Sequence, residues 1–225
     1  MTKKPNVETL TWNEKNTVRE GNRLFPFFFK LENFPLLIVG GGAVGLEKLN
    51  AVLANSPKTP VTLVGQEISS AIRELAAGFE QVILREKVFE SSDLDGQRLV
   101  IAATNIPSLN GQVKALASAR GLFTNVADTP DLCDFYLGSI VQKGDVKIAI
   151  STNGKSPTIA KRLRETFADA LPDELDDLLQ NMPVLRSRLK GDFAHKVRTL
   201  NALTASLAVK PEDEDILPAL FGRQK

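Results

Sequence analysis

Gly40, Gly42 and Gly45 stand in a G-x-G-x-x-G pattern between the apolar run LLIVG (36–40) and a helix-like segment, Ala43–Asn55. That pattern implies phosphate chemistry. Gly40 permits a tight turn, Gly42 leaves room for a pyrophosphate to approach the backbone, and Gly45 lets a helix pack close to a strand. The helix N-terminus adds unpaired N–H groups and partial positive charge. A ribose-binding carboxylate belongs about 20 residues beyond the last glycine. Glu67 stands there, after Gly65 and Gln66. No arginine lies in that turn to meet a 2′-phosphate, which favours NAD over NADP. The plainer alternatives are a tight turn without a ligand and a solvated loop carboxylate at Glu67.

Three more groups of residues close apolar runs or open helices. AATN (102–105) ends one run, so Thr104 and Asn105 are expected to edge the cofactor, or to cap the helix that follows, or both. TNVAD (124–128) ends another, and Asn125 and Asp128 are expected to face the same cleft. A general base must reach its proton, and partial burial tunes a carboxyl for that work. Asp128 is the best-placed carboxylate for it; an N-cap or Asx-turn at DTPD is the competing reading. STNGKSP (151–157) sets Ser151, Thr152, Asn153, Gly154, Lys155 and Ser156 before a helix, and Lys161, Arg162 and Arg164 follow. Backbone N–H groups and cations of this kind can hold carboxylates; an ordinary capped helix with a basic face is the other reading. Cys133 reads as a small packing residue without thiol chemistry, and His195 as a helix-surface residue. The run LFPFFF (24–29) reads as a packing strip.

The elements that must position these residues alternate. LLIVG (36–40), VTLVG (61–65), VILRE (82–86), LVIAA (99–103) and LFTNV (122–126) read as buried strands. Helical patterns at 43–55, 68–77 and 109–120 separate them. The second carries Ile68, Ile72, Leu75 and Ala76 on one face. The third carries Leu109, Val113 and Leu116, with Gly121 as its stop. Alternation of this kind implies an α/β fold, a doubly wound parallel sheet with helices on both faces. After Pro130 the pattern changes. SIVQKGDVKIAIST (139–152) reads as two strands about a Lys143-Gly144-Asp145 turn. Ser156-Pro157 opens a helix with an Ile159, Leu163, Phe167 stripe. Residues 173–207 read as helical, broken at Pro183, with Leu175, Leu178, Leu179, Leu185 and Leu189 available for packing; the chain from Pro211 reads as a tail. A two-stranded hairpin is marginal alone, so a second copy of the chain is its expected partner.

Composition narrows the classes further. With 28 basic and 27 acidic side chains in 225 residues, no global positive field marks a nucleic-acid binder. One cysteine and one histidine exclude a disulfide within the chain and argue against the usual zinc sites. No apolar run approaches the ~20 residues of a membrane span, and the polar start carries no signal-like core, so a soluble cytoplasmic protein is expected.

Taken together, FPFFFKL (25–31), LLIVGGGAVGLEKL (36–49), VIAATNIPSLN (100–110), NVADTPDLCDF (125–135) and GSIVQKGDVKIAISTNGKSPTIAKRLR (138–164) resemble the siroheme synthase family. The closest likeness is to its precorrin-2 dehydrogenase/sirohydrochlorin ferrochelatase module. The chain is too short to include the methyltransferase half of the fused members. The resemblance implies a homodimer with a polar extension (1–23), an NAD-binding Rossmann domain (24–137), a dimerisation segment (138–172) and a helical domain (173–225). It implies NAD contacts at Gly41, Gly42, Ala43, Val44, Gln66 and Glu67, an essential aspartate at Asp128, and a tetrapyrrole-side loop at Ser151–Pro157. The implied reaction oxidises precorrin-2 with NAD⁺, with Lys155, Arg162 and Arg164 holding substrate carboxylates. Some members also insert Fe²⁺, as a substrate, into sirohydrochlorin, and the residues do not decide between the two kinds. The family often has alanine and then arginine-lysine after the glycines; here Gly45, Leu46, Glu47 and Lys48 stand, without the arginine. A non-catalytic NAD-sensing module would share the glycines and Glu67 but would not need Asp128 or the Ser151–Pro157 loop.

Overall fold

A computed structural model describes residues 21–173 and 175–204. Most of the expected 1–23 extension and the expected tail from Pro211 lie outside the described residues. Packing divides the chain into two units. The first runs to Ser139 and takes in Ile150–Lys161; the second holds Ile140–Ala149 and the chain from Arg162 onward.

The first unit is built on five parallel strands: β1 (Leu36–Val39), β2 (Val61–Gly65), β3 (Val82–Glu86), β4 (Leu99–Ala102) and β5 (Phe123–Val126). They lie in the order β3-β2-β1-β4-β5, the order of a Rossmann sheet, which reverses between β1 and β4. The register sets Leu36 beside Val61 and Leu99, so the strands start together and finish at one rim. Helices α1 (Ala43–Asn55), α2 (Ser70–Ala76) and α3 (Pro107–Ala119) cover the sheet.

Alternation along the central strands serves both faces. Leu36, Ile38, Leu63, Leu99 and Ile101 pack with Leu49, Val52 and Leu53 of α1 and Ile72 of α2. Leu37, Val39, Val64, Val100 and Ala102 pack with Val113 and Ala117 of α3. Burial on two sides is why these strands read as unbroken apolar runs. Each fully buried Leu or Ile contributes about 1.5–3 kcal/mol relative to exposure.

The outer strands correct the expectation of five buried ones. β3 forms one edge, with Ile83 52% exposed, and β5 forms the other, with Phe123 56% exposed. An edge strand has one neighbour and less cover. The 24–29 run is also corrected. Phe25 and Phe28 are 83% and 73% exposed. The rings of Phe27 and Phe29 meet edge-on at 4.7 Å, and Phe29 meets Phe34 at 5.2 Å. Phe34 alone of these rings packs against the core, which the helices already cover.

In the second unit, β6 (Ser139–Lys143) and β7 (Val146–Ile150) form a two-stranded sheet about Gly144, whose φ is +54°. Lys143 pairs with Asp173 at 2.6 Å, and Asp176 accepts the Asp145 N–H at 2.9 Å. Helix α4 (Pro157–Ala170) continues from the first unit into the second, and α5 (Leu175–Arg188) and α6 (Phe193–Leu203) follow. Pro183 was expected to break the helical stretch; it sits inside α5 instead. The Leu179 carbonyl loses its donor there. No residue of α5 is buried, so water can supply a replacement. The break falls at Gly191, with φ +107°, before Asp192 caps α6 by accepting the His195 N–H at 2.7 Å.

Candidate functional site

Parallel strands place every residue that follows a strand at the same rim, and the glycine turn lies there beside the point where the strand order reverses. Gly40 has φ +132°, and a side chain at that position would overlap the Ala103 carbonyl. A Cβ at Gly45 would overlap the Gly40 carbonyl, so α1 starts hard against the end of β1. A Cβ at Gly42 would meet nothing within 4 Å. Gly42 is also the N-cap of α1 and offers no side-chain acceptor to the first turn, where Ala43, Val44 and Gly45 stand. Open space in front of an uncapped helix start fits a dinucleotide pyrophosphate.

Gly41 carries a contact invisible in the motif. A Cβ there would overlap the Glu67 carbonyl, and the Ser69 N–H donates to the Gly41 carbonyl at 3.0 Å. The loop after β2 is thereby seated directly on the glycine turn. Gln66 and Glu67 are both exposed on it. The Ile68 N–H that ends this loop donates to the Glu86 carboxylate at 3.0 Å.

After β4, Thr104 is held inward. Asn110 of α3, itself buried, accepts from the Thr104 N–H at 3.2 Å and hydroxyl at 2.7 Å and donates to its carbonyl at 3.0 Å. The Thr104 hydroxyl also accepts the Ile106 N–H at 3.1 Å. Thr104 thus ties the end of β4 to α3, whose N-cap Ile106 receives no side-chain cap, while Asn105 is exposed at the rim. Replacing Asn110 with alanine leaves the Thr104 backbone groups without their partner, at a cost of about 1–3 kcal/mol. Thermal denaturation should show a melting point lower by several degrees.

Asn125 departs from its expected orientation. It is buried, and its amide donates to the Phe135 carbonyl at 2.8 Å, so it ties down the 133–135 segment rather than opening into the cleft. Cys133 lies beside it, accepting the Val126 N–H at 3.2 Å, and burial pushes its thiol pKa up. Asp128 opens outward. It is exposed rather than partly buried, holds φ +57°, and makes no hydrogen bond or ion pair with another described residue. The expected capping use of Asp128 is not found among the described residues.

The 151–157 loop sits next to that turn. A Cβ on Gly154, φ +72°, would lie 3.7 Å from Pro130 and 3.9 Å from Tyr136, whose hydroxyl donates to the Pro130 carbonyl. Internal bonds shape the loop. The Ser151 hydroxyl accepts the Asn153 N–H at 3.1 Å, and the Thr152 hydroxyl accepts the Ser156 N–H at 3.3 Å. Ser156 caps α4 by accepting the Ile159 N–H at 3.2 Å. Asn153 and Asp128 are the two non-glycine residues with positive φ among those described. Lys155 is exposed on the loop; Arg162 and Arg164 are exposed on α4, in the second unit. His195 is exposed on α6. Among the described residues no three His, Cys, Asp or Glu side chains gather as metal ligands, and no helix is long and apolar enough to cross a membrane.

Sequence reasoning missed Glu86, Asn110 and the Gly41 contact. The signal for Glu86 was its place as the last residue of β3, opposite Gly65.

Comparison with known proteins agrees with this geometry. Residues 27–139 match a family described as putative NAD(P)-binding, and residues 143–170 match one described as the central part of sirohaem biosynthesis proteins. A siroheme synthase of Methylococcus capsulatus is 37% identical over 198 residues, 84% of this chain and 41% of that protein. One from Pseudoalteromonas translucida is 38% identical over 170 residues, 76% of this chain and 35% of that protein. The chain therefore spans less than half the length of these relatives. A solved precorrin-2 dehydrogenase, SirC, shares the fold with a TM-score of 0.64 at 23% identity, over 80% of this chain and 89% of its own. The chain belongs to the putative NAD(P)-binding family, and its residues 143–170 match the central part of sirohaem biosynthesis proteins.

Proposed function

We infer that the protein is a precorrin-2 dehydrogenase, oxidising precorrin-2 to sirohydrochlorin with NAD⁺ in the cytoplasm. The observation that carries this reading is Asp128: an outward carboxylate without a partner among the described residues, beside the 151–157 loop at the rim that bears the glycine turn. A pure nucleotide sensor has no use for it. Gly40–Gly45 would hold the pyrophosphate, and Gln66 and Glu67 the adenosine ribose. Bound there, NAD⁺ would supply the acceptor for the hydride lost by the substrate. Asp128 takes the accompanying proton, so the two electrons leave the substrate with the hydride and only the proton goes to the carboxylate. Ser151–Ser156, Lys155 among them, bind substrate carboxylates through N–H groups and a cation. The same aspartate can accept pyrrole protons released when Fe²⁺, as a substrate, enters sirohydrochlorin.

Tetrapyrrole binding tests the reading. Titration with sirohydrochlorin should give saturable binding that weakens in Lys155→Ala. Binding of NAD⁺ with indifference to sirohydrochlorin would leave a sensor. Siroheme formed from sirohydrochlorin and Fe²⁺ without NAD⁺, above the spontaneous rate, would add ferrochelatase activity; none above that rate would leave the dehydrogenase alone.

The homodimer belongs to the same proposal. Ile159 and Phe167 of the α4 stripe are 55% and 41% exposed, and the β6-β7 sheet has two strands alone. Sedimentation should give twice the chain mass, and Phe167→Glu should shift the protein toward the monomer.

A further inference from the structure

We propose that Glu86 sets the preference for NAD over NADP by holding Arg73 and the ribose loop together. This rests on the reading that the adenosine ribose lies at Gln66–Glu67. The Oε1 atom of Glu86 accepts the Ile68 N–H at 3.0 Å and pairs with the Arg73 guanidinium at 2.6 Å. One carboxylate thus fixes the end of the loop after β2 and binds a cation carried by the helix that loop leads into. The Arg73 hydrogen bond, and then the Ile68 N–H, hold the Glu86 carboxyl below its ordinary range, so it is ionised at neutral pH.

The consequence is electrostatic. A 2′-phosphate on the ribose needs a cation, and a guanidinium is the side chain best shaped for it. No arginine stands within the turn Gly65–Ser69, but the fold brings Arg73 to its edge. Glu86 occupies that guanidinium and so withholds it from a phosphate. The neighbouring cations are engaged as well: Lys87 lies 2.8 Å from Glu90 and 3.1 Å from Asp93, and Arg85 lies 3.5 Å from Asp93. Arg73 has one ion-pair partner among the described residues, the half-exposed Glu86, so removing that charge releases it.

Glu86→Gln separates the two roles. The amide oxygen can still accept the Ile68 N–H, while the charge is gone. Dissociation constants for NAD⁺ and NADP⁺ would be measured by calorimetry on the same preparations of the full chain, as wild type, Glu86→Gln and Glu86→Gln/Arg73→Ala. The ratio of the two constants is insensitive to the fraction of folded protein. The expected result is a shift of that ratio toward NADP⁺ by roughly tenfold in Glu86→Gln, lost again when Arg73 is also removed. An unchanged ratio, or a shift that persists without Arg73, would overturn the proposal. A folded wild-type protein that binds neither nucleotide would instead bring down the cofactor reading beneath it.

Discussion

Asp128→Asn is expected to lower turnover of precorrin-2 by about 10²–10⁴-fold while the melting temperature stays where it was. The argument is local. The wild-type carboxylate is exposed and unpartnered among the described residues, so its charge supports no internal contact. Its backbone sits at φ +57°, a region that asparagine enters at least as readily as aspartate. The amide keeps the shape and the conformation and loses only the ability to take a proton. Asp128→Gly should behave alike in turnover and melt no lower, since glycine adopts positive φ without strain. Asp128→Ala is the less informative variant. It removes the carboxylate and also strains the backbone by about 1–2 kcal/mol. NADH absorbance against time, beside a melting curve for each variant, checks all three. Wild-type rates in Asp128→Asn would remove the aspartate from the chemistry.

Gly42→Ala and Gly45→Ala should fail in opposite ways, although both sit in one motif. At Gly45 the new methyl group meets the Gly40 carbonyl, and neither the start of α1 nor the end of β1 can yield without moving a central strand. Overpacking of this sort costs about 1–3 kcal/mol, and the rigid backbone partner puts this position at the upper end. Gly45→Ala is therefore a stability variant. At Gly42 the methyl group meets no protein atom, and φ −94° suits alanine. Its fold should be intact. The methyl group instead enters the space assigned to the pyrophosphate, and NAD⁺ affinity should fall by roughly tenfold to hundredfold. Melting curves with and without NAD⁺ separate the two outcomes. Gly42→Ala should keep its melting point in the absence of nucleotide and lose the stabilisation that added nucleotide gives the wild type.

Much of this arrangement was legible in the sequence because it is local. The glycine spacing follows from close approach between consecutive elements, and the helix it opens spans Ala43–Asn55 as its pattern predicts. Ser156-Pro157 likewise marks the start of α4 through a capping bond three residues long. The runs of central strands announced their burial on both faces. What escaped depends on partners far along the chain. Asn125 looks like a rim residue until Phe135, ten positions later, takes its amide. Glu86 closes a run read as a buried strand, and its role emerges only when Ile68, eighteen positions earlier, reaches it. Gly41 has no role within the motif, and its need for glycine comes from the Glu67 carbonyl that packs upon it. Pro183 misleads for another reason: an exposed helix tolerates the loss of one hydrogen bond that a buried one could not replace. The phenylalanine run misleads because apolar composition says nothing about whether the sheet still has a face to offer it.

The most direct measurement follows both products of the proposed reaction in one anaerobic vessel. Precorrin-2 and NAD⁺ are supplied, and the absorbance of sirohydrochlorin and of NADH is recorded together. The two should rise in equal amounts with the wild-type protein, and neither should rise when protein or NAD⁺ is left out. Sirohydrochlorin formed without matching NADH, or no conversion by protein that demonstrably binds NAD⁺, would contradict the account.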